Sequence, residues 1–167
     1  PAATAIIGAA RRVSPTALSV AFRLIGGVAD LRIPPVRPGD RADELWRHTC
    51  FEAFVKREGA EAYYEFNFSP SGEWAAYRFD RYREGMANAD TEVAIQARQH
   101  GADLDLLATV TLGALPELAG PWRVGLTAVL EAADGSLSYW SVAHPPGRPD
   151  FHHADCFALE VPAPQAS

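Results

Sequence analysis

The sequence predicts an all-β protein, an antiparallel two-sheet β-sandwich of about nine strands with short helical turns. Three observations carry this reading. Apolar and polar residues alternate at period two in segment after segment. Turn residues recur between those segments. No segment carries a long amphipathic helical period. An antiparallel barrel is the other way to close the same strands.

The segments follow in order. Residues 17–25 set Leu18, Val20, Phe22 and Leu24 against Ser19, Ala21 and Arg23. A proline-rich loop at 33–38 and a charged loop at 40–44 lead into a strand over 46–55, opened by Trp46. There Phe51, Ala53 and Val55 oppose Cys50, Glu52 and Phe54. Residues 63–69 put Tyr64, Phe66 and Phe68 on a core face and Tyr63, Glu65, Asn67 and Ser69 on the other. The Ser-Pro-Ser-Gly sequence at 69–72 then turns the chain into a strand over 74–79. Residues 80–86 and 112–118 each suit a helical turn. Residues 92–98 form a weaker strand and 103–111 a clear one. Residues 122–130 place Trp122, Val124, Leu126, Ala128 and Leu130 inward. The turn Ala133-Asp134-Gly135-Ser136 makes a hairpin with 137–142. A last strand covers 156–161, ahead of a proline-containing tail.

The 167 residues are expected to form one domain, 1–167, large enough to bury a core without staples. A net charge of −6 argues against nucleic acid, which demands a basic stripe. No apolar run is long enough to cross a membrane. The first residues lack the pattern of a signal peptide, which predicts the cytoplasm. Cys50 and Cys156 belong to no CxxC motif and read as buried free thiols.

Candidate functional residues fall in two regions. The polar face of residues 63–69 mixes an aromatic ring with an acid, an amide and a hydroxyl. Such a face suits a polar ligand, and equally a solvated surface. Trp46, Trp74 and Trp140 stand at strand ends, where an exposed indole stacks on the C–H face of a sugar. Glu52, Glu65, Asn67 and Arg78 are candidate partners for hydroxyl groups. The stiff loop of 143–155 supplies His144, Asp150, His152 and His153. Imidazole and carboxylate suit zinc or iron, but their spacing matches no metal motif. Glu52 and Glu65 fall on strands that could be neighbours, and a carboxyl pair can serve acid–base chemistry. No nucleophile elbow and no phosphate-cradling glycine loop accompanies them.

The runs at 45–54, 63–77 and 139–153 resemble the small bacterial DOMON-like proteins, which are similar to the family-nine carbohydrate-binding modules. The resemblance extends from about Leu18 to Val161. It implies a two-sheet β-sandwich and a ligand-binding role, with sugar or haem as ligand. Haem would call on Met86 with His144, His152 or His153. The resulting expectation is a binding module rather than an enzyme, taking a small polar ligand, a carbohydrate first. A haem or metal protein using the histidine loop is the alternative. A metal-assisted hydrolase or isomerase and a plain interaction module follow.

Overall fold

The structure is a computed structural model that describes residues 3–163 apart from 113–114 and 116–117. Eleven strands are described: β1 Ala5–Ser14, β2 Ala17–Ile25, β3 Cys50–Arg57, β4 Tyr63–Phe68, β5 Trp74–Phe79, β6 Ala87–Asn88, β7 Glu92–His100, β8 Asp103–Thr111, β9 Trp122–Glu131, β10 Leu137–Ser141 and β11 Leu159–Val161. They form two antiparallel sheets. The smaller runs β1-β2-β8-β7, and the larger β10-β9-β3-β4-β5-β6. β10 and β11 share the edge of β9 away from β3, one after the other. The architecture is the β-sandwich the alternation predicts.

The core lies between the sheets and uses the predicted inward faces. Leu18, Val20, Phe22 and Leu24 of β2 meet Phe51, Ala53, Val55, Tyr64, Phe66, Phe68 and the even-numbered residues of β9. Phe22 lies 5.0 Å from Phe51, ring centre to ring centre. Trp122 is sealed inside, with its indole N–H donating to the Leu118 carbonyl at 2.7 Å. Both cysteines are buried and free.

Five elements differ from expectation, one being the two-residue β6, for which the alternation gives no strand. β1 has no counterpart in the sequence reading. It is a half-buried edge strand whose alternation is blurred by Gly8, the alanines and Arg11-Arg12. Leu45–Arg47 is a 3-10 turn rather than the start of a strand, because Glu44 takes a left-handed backbone ahead of it. Residues 80–86 form a tight reversal closed by Asp80 N–H to Glu84 O at 2.9 Å, not a helical turn. Ala154–Cys156 is likewise a 3-10 turn, so the last strand starts at Leu159. The helical turn expected over 112–118 and the tail beyond 163 fall partly or wholly outside the described residues.

Candidate functional site

The larger sheet has a second face, and it is not solvated. Two long connections fold over it, residues 28–49 on one side and 142–157 on the other. The first is tied down where Arg32 and His48 both bond Glu131, at 3.1 and 2.8 Å, and where Tyr77 donates to Asp43 at 2.7 Å. The second packs Phe151 and Phe157 onto Phe54, Tyr63 and Phe79. Gly125 of β9 permits this. A Cβ there would stand 2.7 Å from the Cys156 carbonyl oxygen. Between the covering loops remains a cavity of about 440 Å3, walled by Trp46, Phe54, Phe79, Tyr139 and Phe151.

Pairing of the strands decides which polar groups form its floor. β3 and β4 place Glu52 opposite Asn67 and Phe54 opposite Glu65. β9 places Thr127 on the other side of Glu52. The two glutamates are therefore diagonal neighbours on one face, 2% and 6% exposed. The Thr127 hydroxyl donates to Glu52 at 3.1 Å. Burial pushes the Glu52 carboxyl up to about 7. Burial, and then the charge of Glu52, pushes Glu65 well above the ordinary carboxylate range. Asn67 is fully buried, and neither end of its amide has a hydrogen-bond partner among the described residues. A buried amide left so is rare in a settled interior.

One wall is a hydrogen-bonded chain. The backbone N–H of Arg83 donates to the Tyr63 hydroxyl at 3.1 Å, and that hydroxyl meets Nδ1 of His152 at 2.7 Å. Donation from Tyr63 to Nδ1 satisfies all three groups and leaves the imidazole proton on Nε2, which faces Glu65 at 3.8 Å. Burial, followed by the charge of Arg83, lowers His152 to about 4 and keeps it neutral. Arg83 bonds Asp150 at 2.8 Å, and Asp150 also accepts from Tyr82 and from the His152 backbone at 3.2 Å. Burial works against the Asp150 charge, but the bonds from Tyr82 and Arg83 prevail and hold its carboxyl below its ordinary value. Glu44 and Arg83 are the non-glycine residues with left-handed backbone among those described. They sit in the two loops that deliver Trp46 and the Arg83 guanidinium to the cavity, where such strain is commonly kept.

Of the predicted site residues, the fold brings Trp46, Glu52, Glu65 and His152 to the cavity wall and Asp150 behind Arg83, while Asn67, across the ladder from Glu52, is sealed and does not line the cavity. Trp46 is 38% exposed and meets Tyr77 edge-on at 6.3 Å. The other candidates lie elsewhere. Trp74 is 8% exposed within the inter-sheet core, its N–H on the Gly39 carbonyl at 3.2 Å, so it offers no stacking face. Trp140 pairs with Ala128, whose side chain points into the sandwich, and packs there. Its neighbour Tyr139 takes the cavity side instead. Arg78 pairs with the core-facing Tyr64 and bonds Asp80, on the opposite side of the sheet. His144 is exposed beside Phe151, and His153 caps the 3-10 turn by accepting from the Asp155 N–H at 3.0 Å.

Those positions bear on metal and haem. Among the described residues no group of three or more His, Cys, Asp or Glu is placed to hold a metal ion. Met86 and His152 do share the cavity. His152 Nε2 faces the Glu65 carboxyl at 3.8 Å, while His144 and His153 are not among the residues lining that cavity. Two other hollows carry less chemistry. One of about 550 Å3 beyond His152 has its charges, Lys56, Glu61 and Arg81, on an open rim. One of about 600 Å3 near Arg32 has Arg32 and His48 already on Glu131, and Arg47 on Glu44.

Solved structures share this architecture. A candidate carbohydrate-binding protein from Bacteroides uniformis aligns over 94% of this chain and 77% of its own, with a TM-score of 0.66 and 17% identity. A carbohydrate-binding module of family 9 from Caldicellulosiruptor kristjanssonii, in complex with cellotriose, aligns over 98% and 78%, with a TM-score of 0.58 and 11% identity. This chain has the family 9 carbohydrate-binding module fold. The same family from that organism in complex with glucose gives a TM-score of 0.55 and 10% identity over 97% and 78%. No protein-family model matches the sequence, and no curated protein sequence does. At these identities the likeness is one of fold alone.

Proposed function

We propose that this protein binds a carbohydrate in the cavity between Trp46 and Tyr139. The observation that carries the proposal is the floor. Glu52 and Glu65 are buried acids with fewer partners than they can use, lining the cavity beneath aromatic walls. A sugar meets both demands at once. Its hydroxyls give and accept hydrogen bonds, and its C–H faces pack on rings. Glu52 and Glu65, whose protonated forms burial favours, donate to ring or hydroxyl oxygens. Sugar complexes of proteins with this fold support the reading.

Titration of a sugar panel against intrinsic fluorescence tests it. Trp46 is the tryptophan at the cavity wall, so a bound sugar shifts its emission. Trp46→Ala is expected to weaken binding about ten-fold or more, the loss of one good aromatic contact. Should neither mono- nor oligosaccharides bind by calorimetry at millimolar concentration, the proposal falls.

A further inference from the structure

We infer that the sugar this cavity takes is an amino sugar, with its ammonium group seated between Glu52 and Glu65. The inference rests on the carbohydrate reading above and narrows it to a ligand class. It starts from a mismatch of charge. Two carboxyls lie side by side on one buried face, and no lysine or arginine among the described residues bonds either. The groups facing them are Cys50 from β3, Asn67 and Tyr63 from β4, Tyr77 from β5, Thr127 from β9, and Arg83 and His152 from the loops. Arg83 is the one cation in that set, and it is bonded to Asp150. His152 is neutral, and Cys50, buried beside Glu52, keeps its proton.

A buried carboxyl needs a counter-charge or a proton. A neutral hydroxyl supplies no charge. An ammonium group supplies one charge and three N–H donors, which match the carboxyl oxygens of Glu52 and Glu65 that line the cavity. Asn67 is independent of the acid pair as an observation. It is a fully buried amide, unpartnered at both ends, on the same face of the sheet as the two acids and directly across the ladder from Glu52. The walls favour the same chemistry. Trp46, Tyr139 and Phe151 surround the floor with ring faces, which attract cations. Binding of the amine to the protonated pair drives a carboxyl proton out to solvent, while the ammonium keeps its own.

Calorimetry at pH 6 distinguishes the outcomes, using glucose against glucosamine and galactose against galactosamine in buffers of different ionisation enthalpy. The amino sugar is expected to bind at least about ten-fold tighter than its hydroxyl counterpart, the value of a charge-assisted hydrogen bond. Proton release toward one per site accompanies it. Glu65→Gln, or Glu52→Gln where the first does not fold, brings the ratio back toward one and abolishes the release. Neutral sugars that bind as tightly as their amino counterparts, with no proton released, overturn the inference and leave the carbohydrate reading standing. Silence of both kinds of sugar overturns both.

Discussion

Asn67 shows how a single buried residue can be costly to the fold. Its amide lies in the protein interior without a partner, an arrangement that costs about 1–3 kcal/mol per unsatisfied group. Leucine has nearly the same shape and no such need. Asn67→Leu is therefore expected to raise the ligand-free unfolding free energy by about 1 kcal/mol or more, and to weaken sugar binding only where the amide positions Glu52 across the ladder. Denaturant titration and calorimetry on the same sample check this. A destabilised variant that still binds would show that the amide serves packing alone. The tyrosine beside it is different in kind. Tyr63 bonds both Arg83 and His152, so its hydroxyl holds two walls of the cavity in register.

At the scale of elements, the covering loop of 142–157 depends on one close approach. The Cys156 carbonyl lies where a side chain at Gly125 would begin. Gly125→Ala places its methyl group 2.7 Å from that oxygen and 3.2 Å from its carbon, so the loop must lift. We expect about 1–3 kcal/mol of lost stability from the overpacking, and weakened sugar binding because Phe151 and His152 move with the loop. Unchanged affinity would mean that the loop does not shape the cavity. The same contrast explains what could be read from the sequence. Period-two alternation in 63–68 separated the core side, Tyr64, Phe66 and Phe68, from the site side, Glu65 and Asn67, because each side is uniform along the strand. Trp140 could not be placed that way. Which of Tyr139 and Trp140 faces the cavity depends on pairing with Val129 and Ala128, a long-range register with no local signature. Arg83, Phe151 and the cover over the sheet depend on tertiary folding of loops, where propensity carries little.

At the scale of the whole molecule, the cavity shapes stability against pH. Glu52 rises from an ordinary 4.5 to about 7 on folding. The folded state therefore binds more protons than the unfolded one between those values. Its contribution is complete below 4.5 and is lost as the pH climbs through 7, on the order of 3 kcal/mol. Glu65, raised by burial and by the charge of Glu52, acts in the same direction. His152 opposes them. Its value drops from 6.5 to about 4, so stability falls as the pH is lowered through that span. Between 4.5 and 6.5 His152 offsets one of the two acids, so stability declines gently there and more steeply above 6.5. Glu52→Gln is expected to match the wild type near pH 4 and to exceed it in melting temperature at pH 8. A parallel pair of melting curves across that range would refute the buried-acid account.

The site occupies the back of a sheet whose front is the hydrophobic core, so neighbouring positions along one strand answer to separate demands. Residues 51, 53, 64, 66 and 68 hold the sandwich together, while 52 and 65, interleaved with them, line the cavity. Evolution or an engineer can thus rewrite ligand preference at every second residue and leave the scaffold's interior untouched.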